Sequence, residues 1–484
     1  MLNNLNKIFK NISAIHTETK KVNTRTKKLS IHDALLYQFK YSCIYKTKQS
    51  IVSDFNYKND KSVHRTTLYR KENNISLDFY RKLYLNIKEY YDETFKNKDY
   101  AEKIDKMINN KYIVNNYNIF AVDGTNNNYL NNHELISNLN MCVYSCNDMV
   151  PIDMFSYKTK TFKNNKNNES NKNNEVNQFI EYINKNKITN AIFVCDRAYF
   201  KYQLFDLLEK KNLKYVIRIK ENCKIIDKNY SPTSKDKNYE CINSLKRNPN
   251  VEIIKYDIKT EKVFMTKTND KKRMEITNKY HLITNLPKNE FNDEKIKNIY
   301  NSRWNIEVFF KILKNNCKFS YMKEKCETQH IKLKYIELIM MYITKMLIYY
   351  GFKIKKHPSE KITKRKNTNS FGISDQIKVD CQIKVNYSNL IDGIYNHLLP
   401  QIIAGDLEET VLEKFINSYL SIHKNENDRS FLRKSILPFS KWYVKMYHNK
   451  YEYNKIISAV TDDTIDDLNK NLKLKSKSIK ILNI

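Results

Sequence analysis

Between residues 116 and 221, short apolar runs alternate with amphipathic ones, and this alternation restricts the fold more than any other feature. YNIFAVDGT (117–125) reads as an apolar strand ending in a carboxylate and a glycine. NMCVYSCNDMVPIDMFSYK (140–158) alternates as a hairpin turning at Asn147–Asp148. EVNQFIEYINKN has helical spacing, NAIFVCDRAYF is a buried strand that again ends in a carboxylate, KYQLFDLLEKKN is a helix and KYVIRIK a further strand. The segment KNNKNNESNKNNE is low in complexity and reads as a solvated loop. Strands alternating with helices around apolar runs predict an α/β layered core.

The flanks have other rhythms, and a chain of 484 residues has room for several domains. Residues 1–115 read as helical, basic and tyrosine-rich. Within them KTKQSIVSDFNYKNDKSVHRTTLYRKENN resembles a helix-turn-helix, with a Ser- or Thr-capped basic helix that would turn Arg65, Thr66, Thr67, Tyr69 and Arg70 toward a DNA groove. Residues 116–221 form the first part of the core. Residues 222–290 break its pattern: VEIIKYDI, EKVFMT and RMEITNKYHLITNL are short strands separated by polar turns, a β-rich insertion. Residues 291–352 carry two helices, the second over Leu333–Phe352, and 353–484 a basic linker (KIKKHPSEKITKRKNTN) and a helical region ending in FSKWYVKMYH. Trp442 in that cluster is expected in a core.

The first of those helices, YNSRWNIEVFFKILKNN (300–316), sets Tyr300, Arg303, Glu307 and Lys314 at offsets 0, 3, 7 and 14. At about 100° per residue these four fall within an arc of roughly 60°, while Ile299, Trp304, Ile306, Val308, Phe309, Ile312 and Leu313 cover most of the remaining surface. A glutamate on so narrow a stripe is costly to bury unless paired or bound to a metal. On spacing alone, an Arg303–Glu307 pair at i,i+4 is the simpler explanation.

Composition narrows the partners. Lys+Arg number 86 against 53 Asp+Glu, a formal net charge of +33, which favours a polyanion such as nucleic acid or an anionic membrane surface. Abundant Asn, Lys, Ile and Tyr, with 5 Gly and 7 Pro, also fits the codon usage of an AT-rich genome. The nine cysteines show no repeated CxxC, and Cys142 with Cys146 lacks a second pair, which argues against structural zinc and for a reducing compartment. The opening MLNNLNKIFKNI has no long apolar core of a secretory signal. IELIMMYITKMLIYY is interrupted by Lys345 and begins just before Glu337, so a buried core helix is expected rather than a membrane span.

Asp123 and Asp196 each end a strand, where open α/β sheets place ligands, and Glu307 lies on a later helix. Three converging hard oxygen donors suit Mg²⁺, with Mn²⁺ as a substitute. Such a trio can hold two ions, one activating water and the other stabilising the leaving oxygen of a phosphodiester. Basic side chains beside the glutamate would meet backbone phosphates.

In order, DGT at Asp123–Thr125, DRAYF at Asp196–Phe200 and the Tyr300–Arg303–Glu307–Lys314 signature, with two, three and six residues between, resemble the cut-and-paste DDE transposases of the insertion-sequence-four type. YVIRIK resembles the family too, and the likeness covers roughly residues 115–350. Many relatives have glycine where this chain has Ala198. The resemblance implies an RNase H-like catalytic core with a β-rich insertion, flanked by mainly helical N- and C-terminal regions. It implies Asp123, Asp196 and Glu307 as catalytic metal ligands, holding the family's two Mg²⁺ ions, and Arg303, Lys314 and Tyr300 on DNA phosphates near the cleaved end. Trp304 would stack on an unpaired base, against the plainer expectation of a core tryptophan. Family chemistry implies hydrolysis freeing a 3′-hydroxyl that then attacks phosphodiesters, often through a hairpin, by a homodimer on double-stranded DNA inside the cell, nuclear or cytoplasmic. The rival expectations are a domesticated, non-catalytic DNA-binding protein and a metal-dependent nuclease without strand transfer. Thr125, Arg197, His133, Arg218 and Lys220 have plain turn, surface or solvated roles as defaults; phosphate contact is the alternative for Arg197, a place beside the metal for His133, and the DNA channel for Arg218 and Lys220.

Overall fold

Strand β1 (Asn118–Asn131) and strand β4 (Ala191–Cys195) have no polar side chain between Ile119 and Val122 or between Ala191 and Cys195, because both faces of the sheet are covered there. Ile119, Ala121, Ile192 and Val194 point into one apolar core, whereas Val122, Ala191, Phe193 and Cys195 point into a second on the opposite face. Period-two alternation in a strand thus divides the core between two helical layers.

The computed structural model describes residues 2–19, 29–43, 48–59, 62–96, 98 and 101–105 without 103, 117–131, 134–159, 175–265 without 222, 227–229 and 235–237, 271–317, 327–354 and 383–424. The chain divides into two units, one of 1–127 with 137–425 and one of 128–136 with 426–484, and the first holds both apolar cores. Trp442 and His133 lie outside the described residues.

Among the described residues the chain opens with helices α1 (Leu2–Lys10), α2 (Ile12–Thr19), α3 (Ile31–Cys43), α4 (Lys48–Asn59), α5 (Arg65–Asn74) and α6 (Leu77–Thr94). Then come β1, β2 (Glu134–Ser145), β3 (Val150–Thr159), α7 (Glu175–Lys185), β4, α8 (Tyr202–Lys210), β5 (Lys214–Ile219), α9 (Tyr239–Arg247), β6 (Glu252–Met265) and β7 (Lys271–Thr284). Helices α10 (Asp293–Ser302), α11 (Trp304–Asn316) and α12 (Glu327–Ile354) come next. Beyond them lie β8 (Ile383–Val385), α13 (Tyr387–Gly393), a π turn at Ile394–Leu398, α14 (Leu399–Ala404), α15 (Glu409–Tyr419) and β9 (Ile422–Lys424).

One seven-stranded sheet has the order β3-β2-β1-β4-β5-β7-β6. β1 pairs parallel to β4 and β4 to β5, while β2–β3, β5–β7 and β6–β7 are antiparallel. This is a mixed α/β architecture with an RNase H-like core and helical flanks, as the sequence implies. The turn between β2 and β3 falls at 146–149, as read from Asn147–Asp148.

Two features differ from expectation in the 222–290 region. VEIIKYDI and EKVFMT belong to one continuous strand, β6, and the β6–β7 hairpin joins the main sheet through β5. YECINSLKR forms helix α9, burying Ile242 and Leu245; its three-to-four spacing of apolar residues is a helical signal lost among neighbouring strands.

Helix α12 runs against α6 and β3 and buries Ile339, Tyr342, Ile343 and Met346. Lys345, read as an interruption of an apolar run, forms a buried ion pair with Asp105 at 2.6 Å, and Tyr349 Oη donates to the other oxygen of Asp105 at 2.8 Å. No helix among the described residues is long and apolar enough to cross a membrane. At the start of the chain, Asn6 Nδ2 donates to the Leu407 carbonyl and the Leu407 N–H donates to Asn6 Oδ1. Gly405, at φ +72°, ends α14 against the Asn6 carbonyl, where a side chain would collide with backbone.

Candidate active site

The parallel register aligns Val122 with Cys195, so the next residues, Asp123 and Asp196, emerge side by side where the β1–β4 pairing stops, in the middle of the sheet. Asp196 follows the carboxyl end of β4, whereas β1 runs on to Asn131 and does not end at Asp123 as the sequence suggested. Asp123 Oδ1 accepts from the Gly124 N–H at 2.8 Å. Asp196 caps the 3₁₀ turn Arg197–Tyr199, its Oδ1 accepting from the Ala198 N–H at 2.7 Å. These local bonds fix one oxygen of each acid.

Glu307 arrives from the first turn of α11. The sequence suggested one helix through 300–316, but the chain turns more tightly at Arg303, which separates α10 from α11. Its N–H donates to Tyr300 O at 3.1 Å and its carbonyl accepts from Ile306 at 3.2 Å, i→i+3 bonds in place of the α-helical pattern. From this joint Arg303 Nη2 donates to Glu307 Oε1 at 2.7 Å, the i,i+4 pair that spacing alone favoured. Its Nη1 also reaches 3.8 Å from Asp123 Oδ2, so one guanidinium links the helix to the strand.

Burial pushes the Asp123 carboxyl up to about 6; the Gly124 bond and Arg303 oppose this, and the charges of Asp196 and Glu307 add to it. Lys314, two turns beyond Glu307, is half-buried; burial lowers its pKa while Asp123 acts the other way, which sets its ammonium within electrostatic reach of that acid. Among the described residues no three His, Cys, Asp or Glu side chains already surround a common point. The donor set nevertheless fits a divalent cation. Its members are hard oxygens, and the burial and like charge that raise Asp123 are what a bound cation would offset.

Three residues of the 300–316 segment differ from the pattern of a polar stripe on a buried rod: Trp304 and Val308 from its apolar cover, and Tyr300 from the stripe. Trp304 is 51% exposed with Lys311 Nζ 4.8 Å from its ring centroid, and Val308 is exposed as well, so neither lies in the core. The break at Arg303 accounts for this, since it re-aims the first turn of α11. Tyr300 is buried, edge-on to Tyr280 at 6.3 Å and within 5.8 Å of the Arg303 guanidinium carbon, which makes it support for Arg303 more than a surface contact. A cleft of about 660 Å³ opens beside Asp196, lined by Arg197, Ala198, Phe200, Lys220 and Cys223. Arg218 lies flat on Tyr280 at 4.0 Å.

Residues 155–343 match the family described as the transposase DDE domain, a span holding Asp196, Arg303, Glu307 and Lys314 and beginning after Asp123. Over that span the chain is similar to a transposase DDE domain. A Synechocystis sp. protein named as a candidate transposase for insertion sequence element IS4SA is 30% identical over 169 residues. That match spans 33% of this chain and 42% of the length of the Synechocystis protein. Both findings uphold the resemblance to the insertion-sequence-four type read from the three motifs. Of the three acids singled out in the sequence, Asp196 and Glu307 lie inside the matched span, and Asp123 lies on β1, which pairs with β4 just before Asp196.

Sequence reasoning overlooked one acid of this domain. Glu175 closes the low-complexity stretch and opens α7, and its carboxyl is pushed up to about 7 by burial, then by the charges of Asp123 and Asp196. Its position as the last residue of an Asn/Lys repeat hid it.

Proposed function

We propose that this chain is a cut-and-paste transposase that cleaves and joins DNA at the ends of a mobile element. The observation that supports this most is the placing of Asp123 and Asp196 just beyond the last paired residues of the adjacent parallel strands β1 and β4, with Glu307 drawn toward them by Arg303. Asp123, Asp196 and Glu307 would hold Mg²⁺, with two ions as the arrangement of choice. When bound, divalent cations activate water and neutralise charge on the leaving oxygen.

The chain's own residues supply the rest. Arg303 offsets repulsion among the acids before charge is supplied from outside, and its bonds fix the angle at which Glu307 enters. Lys314 offers a half-buried ammonium for a phosphate next to the scissile bond. Trp304 and Lys311 present an exposed aromatic face with a cation above it, a surface on which an unpaired base would stack. In the N-terminal region α4 and α5 pack on α3, and Arg65, Thr66, Tyr69 and Arg70 are exposed on α5, as a groove-reading helix requires. Its cap is His64, whose ring nitrogen accepts from Thr66 N–H, rather than Ser or Thr. Handling two element ends together would call for two copies of the chain on DNA.

The test is incubation of the purified protein with labelled DNA carrying the sequences that flank its gene, with Mg²⁺ or with chelator. Metal-dependent nicking at a defined end, followed by joining to a target, is expected. Tight binding without cleavage would overturn the reading in favour of a non-catalytic DNA-binding protein, and cleavage without joining in favour of a nuclease.

A further inference from the structure

Gly124 has an ordinary backbone conformation, so nothing in its own torsions requires glycine. A β-carbon at this position would instead overlap the carboxylate of Glu175, whose Oε1 and Cδ lie directly over it. The side chain of Glu175 therefore rests on the residue next to Asp123, brought there by the first turn of α7. The two carboxylates that act on it electrostatically are Asp123 and Asp196.

A second observation points the same way. Tyr199 follows Asp196 by three residues and is fully buried, packing edge-on to Phe179 of α7 at 6.0 Å. Its hydroxyl makes no hydrogen bond of acceptable geometry, and of the charged groups around it Glu175 acts most strongly. A buried hydroxyl without a partner is costly, and here it stands beside a carboxylate that it stabilises electrostatically. The strand end, the 3₁₀ turn and α7 thus converge on one carboxylate that no transposase signature motif in this chain includes.

We propose that Glu175 is a fourth carboxylate of this centre and a further ligand for its divalent cation, with the Tyr199 hydroxyl orienting it. The inference rests on the reading of Asp123, Asp196 and Glu307 as metal ligands. Burying another acid beside two others is unfavourable unless positive charge is to be shared, and a bound cation supplies that charge. Orienting groups around a metal ligand are worth about 10–100-fold in affinity, so loss of Glu175 should be measurable at that level.

The experiment is calorimetric titration of the full chain with Mn²⁺ alone, without DNA, for the unaltered protein and for Asp196→Asn, Glu175→Gln, Gly124→Ala and the Gly124→Ala/Glu175→Gln double variant. Gly124→Ala keeps the N–H that binds Asp123 and displaces only a flexible carboxylate, so it tests the same group without changing it. Mn²⁺ affinity should fall about 10-fold or more in Glu175→Gln, similarly in Gly124→Ala, and no further in the double variant. Melting in chelator should leave Glu175→Gln at least as stable as the unaltered chain, a result a purely structural glutamate would not give. If Asp196→Asn loses Mn²⁺ and both Glu175→Gln and Gly124→Ala retain it, the role of Glu175 is overturned and the metal reading stands. If the unaltered protein binds no Mn²⁺, both fail together. Should Glu175→Gln not fold, the Gly124→Ala result decides alone.

Discussion

At Asp123 burial, two neighbouring acids and one guanidinium act on a single carboxyl, and the balance raises it to about 6, a penalty on its charge that a bound cation would relieve. Replacing Asp123 or Asp196 with Asn, or Glu307 with Gln, should therefore reduce metal-dependent DNA cleavage by about 100-fold or more. Affinity for DNA in chelator should be unchanged, as read by gel shift beside the cleavage assay. Normal cutting by Glu307→Gln would reduce that glutamate to a salt-bridge partner of Arg303. His330 gives a pH-dependence of known sign. It is buried, its Nε2 lacks a hydrogen-bond partner, and burial with the Lys334 charge holds its pKa down to about 3. The unfolded chain would take up the proton near 6.5. Between those values the unfolded state binds more protons, so stability falls as pH drops through the window, by about 1.4 kcal/mol per pH unit from this group. Asp123, Asp153 and Glu175 have raised values and contribute with the opposite sign between about 4 and 7. The measurement is thus the difference in urea-unfolding free energy between the unaltered protein and His330→Gln. That difference should shift in favour of the variant as pH falls from 6.5 to 4; parallel curves would show that His330 does not stay neutral.

Among the elements, α12 illustrates what a buried ion pair does for a long apolar helix. Lys345 and Asp105 are almost wholly enclosed, and Tyr349 satisfies the second oxygen of the acid. Asp105→Asn should destabilise the protein by about 3–5 kcal/mol, because it leaves an ammonium buried without its counter-charge. Asp105→Leu combined with Lys345→Met should recover much of that loss, and denaturant midpoints of the three variants measure it. The sequence made Lys345 visible as an interruption but carried no trace of its partner, 240 residues away. The same division holds elsewhere. Strands β1, β4 and β5 were legible because their apolar runs are bounded by polar or turn residues, an aspartate in β1 and β4 and a lysine in β5. The tight joint at Arg303 was not, since a single i→i+3 turn leaves the hydrophobic period almost intact while re-aiming Trp304 outward. Helix α9 escaped because nine residues are too few to raise a helical period above the strands on either side. Asp123, Asp196 and Glu307 were singled out through motif and position, and the strand register and the Arg303 contacts bring them to one part of the sheet. Glu175 was missed because the feature that reveals it is a steric contact with Gly124, which no pattern along the chain encodes.

For the whole molecule the governing quantity is a formal net charge of +33, and its consequence for DNA depends on which cations are available. Several lysines and arginines are already engaged: Lys48 with Glu72, Arg303 with two acids, Lys345 with Asp105 and Arg218 on an aromatic face. Arg65 and Arg70 are instead exposed on one helix, α5, whose first turn carries no acidic residue. If that helix lies in a DNA groove, each arginine that meets a phosphate releases counterions, and log Kd against log salt changes slope by about 0.9 per contact. Arg65→Ala combined with Arg70→Ala should thus flatten the salt dependence by about two units and weaken binding most at low salt. A variant of equal charge loss on another surface, Lys185→Ala with Lys210→Ala, should alter the slope little, because both lysines already pair with acids on their own helices, Glu181 and Asp206. Salt titrations of DNA binding for the two double variants separate the possibilities. Equal flattening in both would mean that the chain holds DNA by its overall field, and α5 would lose its assignment as the groove-reading element. Flattening confined to the α5 variant would tie phosphate contact to that helix, apart from the acids on the sheet.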